Sequence, residues 1–283
     1  MHADIKHIED LSLNAWPSHQ IQYYDGWLLR FSYFYTHRTN CVEQAGPSTL
    51  PLGEKITYCE SEYRKWGTPA VFKITPLVDP SFDRLLASRG YLTEHVTQVM
   101  TRTLPGAAPL PEGTAPADVP PPGDGSAPAD VPPLPEGSAL PEVPPLPEGI
   151  GLSCGRFISD RWIEALFALK HTTNIMHRKV VPSMYHAIPK ETVCVSALHG
   201  STIIGTGLGI LDRGYVGVYA IHVHPSFRRQ HIASAIVSTI LREGAARGAS
   251  AAYLQVVAGN DAAHRFYLGS GFSDFYSYSF RVR

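Results

Sequence analysis

Residues 218–237 read VYAIHVHPSFRRQHIASAIV, and the fold is decided there. Tyr215 to His224 reads as a strand, Pro225 stops it, and a long helix is expected from about Phe227 to Arg247, ended by Gly248. Ile232, Ile236 and Ile240 form the apolar stripe of that helix, with Val237 and Leu241 beside them. A helix N-terminus offers unpaired N–H groups and partial positive charge, which suits a phosphate or pyrophosphate. Arg228 and Arg229 stand at that same pole, where cations disfavour the helix unless an anion binds. An exposed charged turn is the plainer reading of the pair.

Downstream, residues 251–272 read AAYLQVVAGNDAAHRFYLGSGF. Ala251–Val257 is expected as a strand, Asp261–Leu268 as a helix, and Phe272–Val282 as a last strand alternating Tyr276, Tyr278, Phe280 and Val282. Together, the two stretches resemble the acyl-CoA site of the GNAT superfamily of N-acetyltransferases. The first matches the family's Arg/Gln-x-x-Gly-x-Gly/Ala loop at Arg228, Arg229, Gln230, His231, Ile232 and Ala233. The second matches its Asn-x-x-Ala-x-x-x-Tyr run at Asn260, Ala263 and Tyr267, closed by Gly271-Phe272. The resemblance covers about 190–283.

That resemblance implies roles residue by residue. Backbone amides of 228–233 would cradle the CoA pyrophosphate of acetyl-CoA, the acyl donor. Strand 215–224 would splay from strand 251–257, and the pantetheine arm would pair with backbone at Val223. The N–H of Ile221 would face the thioester oxygen, where negative charge develops. Tyr267 would be the general acid for the departing thiolate, and Asn260 would hold the mouth of its helix, as an N-cap or against the cofactor. The loop departs from the pattern at one position: His231 stands where the family has glycine, which lets backbone approach phosphates with no Cβ in the way.

The general base stays open between His222, His224, Tyr219 and a water chain. His222 and His224 also form an HxH pair, but no third ligand is evident and no metal is expected. Cys41, Cys59, Cys154 and Cys194 are far apart and read as reduced, mostly buried thiols. None lies on the expected cleft strands, so direct transfer to a primary amine in a ternary complex is expected.

Upstream, Asp160–Lys170 reads as a helix, and Thr192–Leu198 and Thr202–Ile210 as a hairpin around His199-Gly200. Before these lies a low-complexity stretch. From Pro109 to Ile150 seven hexapeptides follow one another, with an acid at Glu112, Asp118, Asp124, Asp130, Glu136, Glu142 and Glu148. Residues 105–150 contain 15 of the 24 prolines and no aromatic, which cannot build a core. A polyproline II helix has about three residues per turn, so a period of six would align the acids on one side. A semi-rigid linker is expected; an acidic arm lying on the basic C-terminal region is the sharper alternative.

Residues 1–104 read as a mixed α/β layer. Strands are expected at Trp27–Tyr35, Ala70–Thr75 and His95–Thr103, with helices at Gly53–Trp66 and at Ser81–Ser88, the latter capped by Ser81. The stretches 15–42 and 59–75 look like the N-terminal half of two-domain GNAT proteins. Neither CoA motif occurs in them, so this half should wall the acceptor side, with Trp27, Arg30, Tyr35 and Arg38 as candidates. The expected architecture is therefore mixed α/β: a degenerate GNAT-like domain at 1–104, a Pro-rich linker at 105–150 and a GNAT acetyltransferase domain at 151–283.

Composition bounds the rest. Of 283 residues, 44% are hydrophobic and 17% charged, with net charge −1. That balance conceals fourteen basic and seven acidic residues at 151–283 and seven acids with no base at 109–150. The basic charges are scattered and no nucleic-acid motif accompanies them. No apolar run reaches the ~18 residues of a membrane helix, and Met1–Leu13 has no signal-peptide core. A cytoplasmic enzyme with an unknown amine-bearing small molecule or peptide as acceptor is expected. The other reading is a non-catalytic acyl-CoA-binding or regulatory module with a degenerate loop.

Overall fold

A computed structural model describes residues 2–105 and 139–283. The acids from Glu112 to Glu136 lie outside the described residues. The first half runs α1 (His2–Ala15), β1 (Gln20–Tyr24), β2 (Trp27–Phe31), β3 (Val42–Gln44), α2 (Leu52–Lys65), β4 (Phe72–Ile74), α3 (Pro80–Ser88) and β5 (Leu92–Thr103). The second runs β6 (Ile150–Gly155), α4 (Asp160–Leu169), α5 (Ile175–His186), β7 (Glu191–His199), β8 (Thr202–Asp212), β9 (Tyr215–Val223), α6 (Ile232–Ala246), β10 (Ala251–Val257), α7 (Asp261–Gly269) and β11 (Ser273–Val282).

The described strands form one sheet in the order β1-β2-β3-β4-β11-β5-β10-β9-β8-β7-β6. Its centre is a reciprocal exchange. The units β4–α3–β5 and β10–α7–β11 are the same strand–helix–strand device in each half. The last strand of each half lies between the last two strands of the other: β5 between β10 and β11, β11 between β4 and β5. The sheet therefore passes from one half into the other without a gap, and β5 pairs only with strands of the second half.

Helices cover both faces. α6 buries Ile232, Ile236 and Ile240 against Val216, Val218 and Leu254. α4 and α5 bury Trp162, Phe167, Val181 and Met184 against Leu208 and Ile210. Helix α1, not expected from the sequence, lays Ile5, Ile8 and Leu11 beside Tyr253, Tyr276 and Phe280 at the centre of the sheet. One helix start and one strand end differ from expectation. Asp79, not Ser81, caps α3, its carboxylate accepting the Ser81 N–H at 2.7 Å. The strand expected to reach Tyr35 ends at Phe31, because Tyr33 and Phe34 take left-handed backbone (φ 52° and 55°).

The end of the repeat segment rests on the second half. Leu140 and Leu146, six residues apart, pack against the α6 core, and the Ala139 carbonyl accepts from Arg102 at 3.0 Å. Over the described 139–149 the contact is made by these leucines, whereas Glu142 and Glu148 are exposed and make no ion pair among the described residues. No described helix is long and apolar enough to cross a membrane.

Candidate active site

The site is built on a parting of two parallel strands. β9 and β10 pair only over Tyr215–Gly217 and Ala251–Tyr253. Beyond that, β10 continues along β5 and β9 along β8, leaving a cleft between Val218–Val223 and Leu254–Val257. A bulge sharpens the parting. Thr206 lies opposite His222 and Leu208 opposite Tyr219, so β9 carries one extra residue, with Ala220 left-handed at φ 52°. The Ala220 carbonyl accepts from Thr206 Oγ1 at 3.0 Å. Facing the bulge, Gly207 admits no side chain: a Cβ there would meet Ile236 Cγ2 at 2.3 Å and Ile221 Cδ1 at 2.9 Å. The register gives Ile221 no residue opposite it in β8.

One cavity, about 590 Å³, lies at the N-terminus of α6. Val223, Arg228, Arg229, His231, Ile232 and Ala233 line it from β9 and the loop, and Ala262, Arg265 and Phe266 line it from α7. Gln230 is not among the lining residues, and neither is Asn260, whose side chain caps α7 by accepting the Ala263 N–H at 3.2 Å. Arg265 was not singled out in the sequence; it sits among the variable positions of the second motif, and only the facing of α7 and the loop brings it to Arg228 and Arg229.

The helix begins at Ile232, five residues later than expected. Pro225–Phe227 is a short 3-10 turn, and Arg229 (φ 63°) and His231 (φ 59°) are left-handed, a backbone that cannot propagate a right-handed helix. His231 is thus in the conformation that glycine adopts freely. Its side chain is exposed, so the cost is local backbone strain of about 1–2 kcal/mol. His231→Gly is expected to stabilise the fold by about 1 kcal/mol, raising Tm by roughly 2–4 °C in thermal unfolding. An unchanged or lowered Tm would show that this turn is not strained.

A second cavity, about 430 Å³, adjoins the other side of the cleft. Tyr219–Ile221 of β9, Lys170 and Tyr267 line it from the second half, and Arg30, Tyr35, Arg38 and Lys73 from the first. Trp27 does not reach it. It is buried beside Phe72 and Phe82 with Lys55 over its ring, because alternation along β2 points Trp27 and Arg30 to opposite faces. Neighbouring residues on the same two elements line the two cavities: Val223 and Phe266 the first, Ile221 and Tyr267 the second.

Tyr267 packs against Phe266 and Phe272, and burial pushes its hydroxyl up to about 12. The phenol is therefore protonated at neutral pH, and it has no hydrogen-bond partner among the described residues. Tyr219 shares a hydrogen bond with Tyr253 at 2.6 Å, and burial raises its pKa far above neutrality. The His224 ring accepts the Ser226 N–H at 3.3 Å, closing the turn after β9. Burial, then Lys170 and Arg228, lower His222 to about 4. None of the cysteines lines either cavity; Cys41, Cys59 and Cys194 are buried.

The lowered His222 pKa sets an acid-side limit on stability. Above about pH 6.5 the ring is neutral whether folded or not. As pH falls from there to about 4, the unfolded chain takes the proton and the folded one does not, so stability drops by about 2–3 kcal/mol. Urea unfolding at pH 7, 5 and 4 should show a shallower loss for His222→Gln than for the natural chain. Parallel losses would place the acid sensitivity elsewhere.

The fold that holds this splayed parallel pair is shared with solved GCN5-related N-acetyltransferases. Residues 162–272 match the model of the acetyltransferase (GNAT) family, so the second half carries a GNAT acetyltransferase domain. A GCN5-related N-acetyltransferase from Kribbella flavida superposes with a TM-score of 0.63 at 13% identity, covering 98% of this chain and 94% of that one. A GCN5-related N-acetyltransferase from Sphaerobacter thermophilus gives 0.54 at 19% identity, over 82% and 67%. A tandem GNAT protein from the clavulanic acid biosynthesis pathway gives 0.56 at 13% identity, over 86% and 74%. No curated protein sequence matches the chain.

Proposed function

We propose that the protein transfers an acetyl group from acetyl-CoA directly to a primary amine. The observation that carries this reading is the pair of cavities on either side of the splay, one at a cationic helix N-terminus and one walled by the first half. The donor's pyrophosphate fits the first, where the α6 N–H groups, Arg228, Arg229 and Arg265 supply positive charge. Ile221 and Tyr267 line the second, next along β9 and α7 to Val223 and Phe266, which line the first.

In this scheme the amine lone pair attacks the thioester carbonyl, the C–N bond forms and the C–S bond breaks. The Ile221 N–H steadies the charge that grows on the thioester oxygen. The Tyr267 hydroxyl, protonated at neutral pH, donates its hydrogen to the departing thiolate. The amine must arrive neutral. Arg38 and Lys170 help, because neither has an ion-pair partner among the described residues and nearby positive charge disfavours an ammonium. The proton released by the amine leaves through water, from which Tyr267 regains its own, since His222, lowered to about 4, is a weak acceptor and the His224 ring is engaged with the Ser226 N–H. The same two cations favour an acceptor that also carries a carboxylate.

The test is calorimetric titration of the full chain with acetyl-CoA, followed by thiol release with paired amines that differ in one carboxylate. Micromolar binding with amine-dependent release supports the enzyme, and faster release with the carboxylated members supports the acceptor reading. Binding without release from any amine would favour a non-catalytic acyl-CoA-binding module. Absence of binding would remove the proposal.

A further inference from the structure

Beside the acceptor chamber lies a group of side chains that the transfer reaction does not use. His37 follows β2 by six residues, whereas Glu94 and His95 are on β5, and each offers a ligand atom within 4.8 Å of the other two. The His37 and His95 rings meet at 4.7 Å between centroids, and His95 Nε2 lies 3.8 Å from the Glu94 carboxylate.

The backbone is shaped to bring them together. Along the β5–β11 ladder, Thr97 faces Tyr278 and Glu94 faces Phe280, so β5 has one more residue than its partner here. His95 occupies this bulge in the left-handed region (φ 50°), costly for a residue with a side chain. The bulge is held by the Ala258 N–H on the Val96 carbonyl at 2.7 Å and by Thr97 Oγ1 on the His95 carbonyl at 2.9 Å. A regular strand would alternate Glu94 and His95 to opposite faces. The bulge sets both toward His37.

We propose that His37, Glu94 and His95 form a binding site for a divalent transition metal of the zinc class. Two imidazoles and one carboxylate are a familiar three-ligand set for such an ion, and they leave a fourth position open. Tetrahedral bonds of about 2.0–2.2 Å need ligand atoms about 3.4 Å apart. Glu94 and His95 are exposed, so rotation of their side chains closes the remaining distance. His37 and His95 also line a cavity of about 340 Å³ that shares Tyr35, Thr36 and Arg38 with the acceptor chamber. The open position therefore faces the flank of the chamber, where it would take a carboxylate or other donor group of an acceptor. Arg38, the nearest cation in that cavity, is engaged with the Tyr278 hydroxyl at 2.7 Å.

The experiment is calorimetric titration of the chelator-treated full chain with zinc chloride, and with cobalt chloride followed by visible absorption. One ion per chain at micromolar affinity is expected, with the intense d–d bands of four-coordinate cobalt. Glu94→Gln, a near-isosteric change of an exposed side chain, should weaken binding about tenfold or more, and His37→Ala with His95→Ala should abolish it. Circular dichroism and Tm report whether the variants remain folded. Weak binding without one-to-one stoichiometry overturns the proposal, as does binding that a folded Glu94→Gln or histidine variant leaves unchanged.

Discussion

Tyr267→Phe is expected to lower kcat by about 100-fold or more while leaving acetyl-CoA affinity within about twofold. The substitution removes only the hydroxyl. The ring stays packed against Phe266 and Phe272, and no described residue loses a hydrogen bond. What is lost is the donor to the leaving thiolate, and positioned acids contribute typically about 10²–10⁴ in rate. The affinity arm matters because the donor cavity is lined by Arg228, Arg229 and Phe266, not by Tyr267. Thiol release under saturating donor, beside calorimetry, reads both quantities. A parallel loss of affinity and turnover would make Tyr267 a packing residue, and unchanged turnover would assign the acid elsewhere.

The second large effect is on stability. Lys73, on β4, is buried with its ammonium 2.5 Å from Glu9 Oε2 and 3.6 Å from Glu43 Oε2, over the Tyr278 ring at 4.6 Å. Glu43 also pairs with Arg30 at 2.9 Å, and Glu9 accepts from the Tyr276 hydroxyl at 2.5 Å. Burial works against the charge on Lys73, but Glu43 and Glu9 outweigh it and hold its pKa above the ordinary value. Burial likewise opposes the Glu43 charge, and Lys73 with Arg30 outweighs it, so that pKa is lowered. The cluster joins α1, β2, β3 and β4 to β11 of the other half. Lys73→Met leaves two buried carboxylates short of a counter-charge, which costs about 3–5 kcal/mol. Urea unfolding should read that loss, and adding Glu9→Gln should restore part of it. A cost below about 1 kcal/mol would mean that the pocket beside Lys73 admits enough water to solvate the carboxylates.

Much of the second half was legible because its signals are local. The strand read to His224, Pro225 as its stop, the 3.6-residue stripe of α6 and Gly248 as its end are each set within a few residues. Other elements were less legible for reasons visible in each of them. β3 spans three residues, too few to show a period. α5 contains Pro182, which lacks an N–H and argues against a helix interior, yet Val181 and Met184 on either side bury its apolar face. α1 carries Ile5, Ile8 and Leu11 at helical spacing, but the charged residues between them resemble alternation. Its role depends on Tyr253, Tyr276 and Phe280, more than 240 residues away.

The sequence by itself determined the local devices: the strand–loop–helix around Arg228 and Arg229, the capped helix bearing Tyr267, and a proline-rich composition unable to form a core of its own. Only the tertiary structure decided how those devices are combined. Alternation tells a strand which residues face inward but not which neighbour it pairs with, so the exchange of β5 and β11 between the halves was invisible. That exchange seats the first half against the cleft, turning Arg30, Tyr35 and Arg38 into a chamber wall. It also places the β5 bulge beside the segment after β2, so His95 meets His37. Backbone conformation at a residue that does not advertise it, such as His231 or Ala220 in left-handed turns, was likewise settled by the strands and helix that hold each end.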